Sequence, residues 1–158
     1  MAEIKRKKVV IAVDESDESI YALRWALEHT VQPTDEVVLL HVQPPPQLYA
    51  GGGGPVGFYA TPELLISMKK HQERATELIL ENAKKICEES KQINATTLVK
   101  VGDPRDLICE TVEKEHADLL ILGSHGYGAI KRAFLGSVSD YCAHRSKCPV
   151  LVVKKNHK

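Results

Sequence analysis

A stretch rich in glycine and serine near the end of the chain carries the residues best suited to bind an anion. It consists of two short groups nine residues apart, Gly123-Ser124-His125-Gly126 and Gly136-Ser137-Val138-Ser139. Glycines at 123 and 126 leave the backbone open, so a ribose or a phosphate can approach it closely. Serine hydroxyls can donate hydrogen bonds to phosphate oxygens. Lys131 and Arg132 between the groups either neutralise phosphate charge or form a solvated face of the loop. The stretch therefore predicts a phosphate-binding loop.

The positions of Asp14 and Gly123 point to one shared site. Asp14 follows a continuous apolar run at residues 9–13, and Gly123 follows another at residues 119–122. Such runs are typical of parallel strands that are buried on both faces. Ligands of open α/β sheets bind beyond the carboxyl ends of the strands. We therefore expect Asp14 and Gly123 at the same edge of a sheet.

Five strand signals alternate with four helix signals along the chain. The predicted strands cover residues 9–13, 37–42, 96–101, 119–122 and 150–153. The predicted helices start at Ser16 as a cap, at Thr61 and Pro62, at Asp103 and Pro104, and at residues 137–145. This alternation predicts one doubly wound α/β domain over residues 1–158, with a five-stranded parallel sheet and helices on both faces. The alternation leaves the strand orders 3-2-1-4-5 and 2-1-3-4-5 open, and we expect the first.

The remaining composition limits the partners and the compartment. Residues 43–61 contain three consecutive prolines and four consecutive glycines, which predicts a flexible loop. Lys and Arg total 21 and so do Asp and Glu, so no charge footprint for nucleic acid is present. No apolar run is long enough to span a bilayer, and no hydrophobic core of a signal peptide precedes the first strand. We expect a cytoplasmic protein with no membrane partner, while the basic run at residues 5–8 leaves the nucleus as an alternative.

Three kinds of side chain have a structural explanation beside a functional one. The four cysteines lack the paired spacing of zinc sites, so we expect reduced thiols that fill the core. His41 lies inside an apolar strand, which predicts a buried histidine with satisfied polar atoms. For Asp14 the sequence leaves two roles open, a contact to the ligand and a cap of the first helix.

The pattern Gly-x2-Gly-x9-Gly-[Ser/Thr], late in a short α/β chain, resembles the ATP-binding subgroup of the universal stress protein family. The flanks agree, since residues 10–14, 39–42 and 149–153 resemble the first, second and last strands of that family. The likeness covers essentially the whole chain. The loop at residues 43–61 departs from it and resembles that of plant members.

This resemblance implies an adenine-nucleotide site for ATP or AMP, with Mg²⁺ as an accompanying ion. The base and ribose are expected against Ala12, Val13, Asp14 and Val42, with the backbone of Val42 at the adenine. The ribose and phosphates are expected against Leu122, Gly123, His125 and Gly126. The phosphate chain is expected against Gly136, Ser137, Val138 and Ser139. The resemblance also implies a homodimer through the strand at residues 150–153, an edge that is open to pairing.

Two functions from different classes fit these features. The first is an ATP- or AMP-binding regulatory protein of stress responses, which acts as a nucleotide-dependent switch or as a module for regulatory protein partners. The alternative is a slow ATPase or a phosphoryl- or adenylyl-transferring enzyme of similar fold. Asp14, Asp140 and His125 are candidates for the metal and base that catalysis needs, but no catalytic signature and no GxxxxGK[ST] loop is present. We therefore expect binding without efficient turnover and assign no catalytic residue.

Overall fold

A computed structural model describes residues 6–45, 61–91, 93–125 and 135–155 of the protein. Strands and helices alternate as predicted, in the order β1 (Lys8–Ala12), α1 (Asp17–His29), β2 (Glu36–Gln43), α2 (Pro62–Lys91), β3 (Thr96–Val101), α3 (Pro104–Lys114), β4 (Leu119–Gly123), α4 (Ser137–Arg145) and β5 (Val150–Val153). The strands are parallel and lie in the order β3-β2-β1-β4-β5. This arrangement confirms the predicted doubly wound fold and the order 3-2-1-4-5.

Polar caps set the starts of three helices where the sequence predicted them. The Ser16 hydroxyl accepts a hydrogen bond from the backbone N–H of Ser19 at 3.2 Å and caps α1. Thr61 accepts from the N–H of Leu64 at 3.1 Å, and Asp103 accepts from the N–H of Arg105 at 2.9 Å. Each cap satisfies one of the amides that the first turn of a helix leaves without an intrahelical partner.

The helices cover both faces of the sheet. Val9 and Ile11 of β1 belong to a core shared with α1 and α2, whereas Val10 belongs to a second core shared with α3 and α4. The side chains of Val9, Val10 and Ile11 are all fully buried. Continuous apolar runs are needed in the central strands because both of their faces are covered. Burial of each such side chain contributes about 1.5–3 kcal/mol.

The edge strand β3 and the end of β2 add detail to the predicted elements. Val99 and Val101 of β3 are 42% and 61% exposed, in line with a strand that is covered on one face. Gln43, predicted as the first loop residue, is instead the last residue of β2. It pairs with Val101 in the ladder, and its carbonyl oxygen accepts from the N–H of Gly102 at 3.0 Å. Residues 46–60 of the predicted loop lie outside the described residues.

The strand order reverses between β1 and β4 at the centre of the sheet. From β1 the chain builds outward through β2 to β3, then crosses to β4 and builds outward to β5 on the other side. The crevice at the carboxyl ends of β1 and β4 is therefore the place where open α/β sheets bind ligands. None of the helices among the four described ranges is both long and apolar enough to cross a membrane.

Candidate functional site

A cavity of about 360 Å³ opens at the carboxyl ends of β1, β2 and β4, at the point where the strand order reverses. Its volume falls within the range of about 300–1,000 Å³ that is typical of small-molecule sites. Of the twelve residues predicted from the sequence, nine line it: Ala12, Val13, Asp14, Val42, Leu122, Gly123, His125, Val138 and Ser139. Gly136 and Ser137 lie at the start of α4 and are not part of this lining. Gly126 lies outside the described residues, as do Lys131 and Arg132.

Asp14 organises the turn between β1 and α1. One of its carboxylate oxygens, Oδ1, accepts hydrogen bonds from the backbone N–H of Ser16 at 2.8 Å and from the Ser16 hydroxyl. Ser19 closes the turn, because its hydroxyl lies 3.0 Å from both the N–H and the carbonyl oxygen of Asp14. Both readings of Asp14 therefore have support in the geometry. The residue supports the helix cap and also lines the cavity.

The backbone of Val13 is fixed from the neighbouring strand. Its N–H donates to the carbonyl oxygen of Leu40 at 2.8 Å, and its carbonyl oxygen accepts from the Nδ1 of His41, also at 2.8 Å. A carbonyl can only accept, so the proton of His41 lies on Nδ1. His41 is 7% exposed and lines the cavity wall. It is thus the buried, hydrogen-bonded histidine that the sequence predicted, and it holds β1 and β2 together beside the site.

Gly123 is glycine for a different reason from the one expected. A Cβ at this position would lie 2.9 Å from the carbonyl carbon and oxygen of Glu18 and 3.1 Å from the backbone nitrogen of Ser19. The missing side chain therefore lets the first turn of α1 pack against the end of β4. Helix α1 fills the space where a side chain would lie, and the expected approach of a ligand to the backbone of Gly123, which does line the cavity, stays a prediction.

Ser139 also has a structural role that the sequence did not reveal. Its hydroxyl donates to the carbonyl oxygen of Gly123 at 2.6 Å, and the residue is 3% exposed. The single hydroxyl hydrogen is therefore used within the protein here, and the expected contact of Ser139 to a phosphate stays a prediction. The contact ties the first turn of α4 to the end of β4.

The start of α4 lies directly beside the end of β4. The N–H of Gly136 donates to the carbonyl oxygen of Ser124 at 2.7 Å, and a Cβ on Gly136 would lie 3.0 Å from that same oxygen. The first intrahelical bond runs from Asp140 to Gly136 at 2.9 Å. The amides of residues 137–139 consequently have no acceptor within the helix. Together with the helix dipole, they make this end of α4 favourable for an anion.

Two walls of the cavity come from helices to which the sequence analysis gave no part in the site. They are formed by Gln72, Ala75, Thr76 and Ile79 of α2 and by Pro104 and Ile108 of α3. These residues look like ordinary amphipathic positions, because nothing in their spacing separates a cavity wall from a core contact. The strand order is what would have located them, since it puts α2 and α3 on opposite faces of the sheet beside the same crevice.

The ionisable side chains that line the cavity are two carboxylates and two histidines. The described lining contains the carboxylates of Asp14 and Glu15, and it contains no lysine or arginine. His125 is half-buried, and its Nδ1 lies 3.2 Å from the Ser124 hydroxyl. Among the described residues, no group of three or more His, Cys, Asp or Glu side chains is arranged to hold a metal ion. An apolar cavity with a helix N-terminus at one end suits a ligand that joins a flat ring to an anion.

Comparison with known sequences gives a consistent family assignment. The model of the universal stress protein family matches residues 5–154. Universal stress proteins PHOS34 and PHOS32 of Arabidopsis thaliana are 37% and 35% identical to this chain, each match covering 94% of it. The chain spans only 62% and 65% of the length of those two relatives. A universal stress protein A-like protein of the same organism is 31% identical, with 94% of this chain and 90% of that protein covered.

Solved structures with the same fold include nucleotide complexes. A universal stress protein family protein from Arabidopsis thaliana with AMP bound is 27% identical, has a TM-score of 0.67 and matches 95% of this chain and 92% of its own. A universal stress protein in complex with cAMP is 25% identical, has a TM-score of 0.67 and matches 93% of this chain and 96% of its own.

Proposed function

This chain belongs to the universal stress protein family, and from that premise we propose that it is a regulatory protein that binds an adenine nucleotide at the carboxyl end of its sheet. The observation that carries the proposal is the cavity at the reversal of the strand order, with the first turn of α4 at its edge. The base would occupy the apolar part of the cavity. The phosphates would lie at the amides of residues 137–139, where the helix dipole stabilises negative charge.

The end of β2 supports the position proposed for the adenine. The ladder between β1 and β2 ends at the pair Ala12 and Leu40, whereas β2 continues to Gln43. The backbone of Val42 therefore extends past β1 along the edge of the cavity, where its polar atoms suit the hydrogen-bonding edge of a purine. Val13 contributes its side chain instead, because its N–H and carbonyl groups already bond to β2.

The related structures support an adenine nucleotide in particular. AMP and cAMP are bound to two family members that are 27% and 25% identical to this chain. Both ligands combine an adenine base, a ribose and one phosphate, which suits an apolar cavity with the first turn of α4 at its edge. ATP with Mg²⁺ is the alternative ligand.

We assign binding and conformational signalling, rather than turnover, to the site. Phosphoryl transfer needs a carboxylate that holds a metal and a base that positions the nucleophile. Asp14, one of the two carboxylates in the described lining, is engaged with the backbone and hydroxyl of Ser16. Bound nucleotide would instead hold α4 against the ends of β1 and β4 and so favour one conformation for protein partners.

The site test uses two tryptophan substitutions on the same helix. Ala75 lines the cavity from α2, so Ala75→Trp would fill space that the base needs. Leu78 lies three residues further along α2 and is 50% exposed, so Leu78→Trp adds the same ring outside the cavity. We expect Ala75→Trp to weaken AMP binding at least a hundredfold in isothermal titration. We expect Leu78→Trp to bind like the unaltered protein.

Circular dichroism and thermal unfolding of both variants provide the control for folding. Unaltered protein that fails to bind AMP and ATP at millimolar concentration would overturn the proposed function. Equal affinity in the two tryptophan variants would overturn the location of the site.

We also propose that β5 forms a homodimer contact. Val152 of this edge strand belongs to neither of the two cores and is half-buried, so it is available to a second copy. An edge strand can satisfy its open backbone groups by pairing across a two-fold axis. Val152→Lys should then move the protein from dimer to monomer in sedimentation velocity, and an unaltered protein that is monomeric at micromolar concentration would contradict the contact.

A further inference from the structure

Two cysteines from different helices lie close together behind the cavity. The Sγ atoms of Cys109 in α3 and Cys142 in α4 are 3.8 Å apart. Both thiols are free, Cys142 being fully buried and Cys109 only half-buried. The residues are 33 positions apart in the chain, so nothing in their sequence spacing indicated this contact.

The pair is coupled to two walls of the cavity. Ile108 precedes Cys109 in α3, and Val138 lies one helical turn before Cys142 in α4. Ile108 and Val138 both line the cavity, while neither cysteine does. All four side chains belong to the apolar cluster between the sheet and these two helices. A shift of α3 and α4 that accompanies closure of the thiol pair would therefore move both walls.

We propose that Cys109 and Cys142 are a peroxide-sensitive dithiol whose oxidation to a disulfide weakens nucleotide binding. The bond length of a disulfide is about 2.05 Å, so the two sulfur atoms must approach by about 1.8 Å from their 3.8 Å separation. This movement draws α3 and α4 together and narrows the cavity between Ile108 and Val138. The effect on binding rests on the proposed function, whereas formation of the disulfide does not.

The reaction needs one peroxide and proceeds in two steps. The sulfur of Cys109 attacks one oxygen of hydrogen peroxide, the O–O bond breaks, and a sulfenic acid and one water form. The sulfur of Cys142 then attacks the sulfur of Cys109, the S–O bond breaks, and a second water leaves. Two thiols lose two electrons and two protons in total, and one peroxide is reduced to two waters.

Exposure determines which thiol reacts first. Burial raises the pKa of Cys109, although the neighbouring Cys142 thiol partly opposes this shift. Burial raises the pKa of Cys142 much further. Cys109 is thus the more accessible and more readily ionised sulfur, and Cys142 is the resolving partner. Because thiolate is the reactive form, both shifts slow the reaction, and the pair responds to sustained rather than brief exposure to peroxide.

Trypsin places the four cysteines on separate peptides, which makes the disulfide easy to map. The predicted peptides are 86–91, 106–114, 133–145 and 148–154. After treatment of the folded protein with hydrogen peroxide and trapping of the remaining thiols, we expect a cross-linked pair of peptides 106–114 and 133–145. Alkylated peptides 86–91 and 148–154 should persist. A different pairing, or oxidation confined to single cysteines, would overturn the proposal.

The second measurement is AMP affinity before and after oxidation. We expect the oxidised protein to bind AMP at least about fivefold more weakly, the lower end of typical coupling between sites. Reduction with dithiothreitol should restore the affinity. Cys109→Ser should remove the response to peroxide, whereas Cys87→Ala, which changes a thiol on the opposite face of the sheet, should keep it.

The outcomes separate the two proposals. If the reduced protein binds AMP and the mapped disulfide leaves the affinity unchanged, only the coupling between the disulfide and binding is overturned. Reduced protein that does not bind AMP would overturn the proposed function and the coupling, while the peptide map still decides whether the pair closes.

Discussion

The two ends of the sheet use their polar groups in opposite ways. At the amino end, the ammonium of Lys8 lies 2.8 Å from Glu115 and 3.6 Å from Glu36, and the ammonium of Lys7 lies 3.2 Å from Asp35. These charged groups form ion pairs with each other within the chain. At the carboxyl end, the strands stop around a cavity of about 360 Å³ beside the first turn of α4.

This difference indicates how the fold separates stability from binding. The pair of Lys8 with Glu36, whose side chain is 58% exposed, contributes about 0–1 kcal/mol and is replaceable, whereas Asp35 in the pair with Lys7 is only 4% exposed. The carboxyl end depends instead on close backbone packing, through Gly123 against α1 and through Ser139 against β4. The carboxyl end is therefore closely packed where it meets the core. In the proposed site, the amides at the start of α4 are the polar groups that face a ligand.

The largest expected effect comes from Gly123→Val. The new Cβ would overlap the backbone of Glu18 at 2.9 Å, and backbone cannot rotate away as a side chain can. We expect a loss of about 3 kcal/mol in the free energy of unfolding, the upper part of the usual range for overpacking, measured in urea. At the amino end, Glu36→Ala removes a side chain that is 58% exposed and should cost less than about 0.5 kcal/mol. A valine variant of unchanged stability that no longer binds AMP would show that the position serves the ligand alone.

The next effect distinguishes two serines in the first turn of α4. Ser137 is exposed at the helix start. In the proposed site only the phosphates lie at its hydroxyl, so Ser137→Ala should weaken ATP binding by about 1.5–3 kcal/mol and leave adenosine binding unchanged. Ser139→Ala removes the buried bond to Gly123 and should lower the free energy of unfolding by about 1–2 kcal/mol. Titration calorimetry and urea unfolding of both variants measure the two losses. Loss of stability in Ser137→Ala and loss of ATP affinity in Ser139→Ala would contradict the roles assigned to the two hydroxyls.

The smallest effect is the pH dependence of the ion pair between Lys8 and Glu115. The hydrogen bond from Lys8 lowers the pKa of Glu115 below its ordinary value of 4.5. Because the folded pKa is the lower one, the pair stabilises the protein above pH 4.5, and this contribution is lost as the pH falls through the folded pKa. Glu115→Gln should therefore cost less than about 1 kcal/mol at pH 7 and nothing in strong acid. Urea unfolding at several pH values checks this, and AMP affinity at pH 7 should not change.

Local signals in the sequence were sufficient to predict the elements, and the family resemblance together with those signals predicted nine of the 21 residues that line the cavity. Ser16, Asp103 and Pro104 mark helix starts through capping chemistry that is confined to a few residues. The bounds predicted for α4 and β5 are those of the structure. Alternation alone left two strand orders open, because pairing between strands depends on contacts between distant parts of the chain.

The features that the sequence did not reveal are contacts between residues that are distant in the chain. Gly123 is recognisable as a glycine after a strand, but only the fold shows that α1 fills the space beside it. Ser139 resembles a phosphate contact until its hydroxyl is seen to bond to Gly123. The approach of Cys109 to Cys142 likewise exists only because α3 and α4 share one face of the sheet.

Titration of isotope-labelled protein with AMP, followed by backbone amide NMR, tests the comparison between the two ends most directly. The account predicts shifts at the amides of Val42, Gly123 and Val138 at the carboxyl end, with no change at Lys8 and Glu36 at the amino end. Shifts centred on the amino end, or no shifts at millimolar AMP, would contradict it.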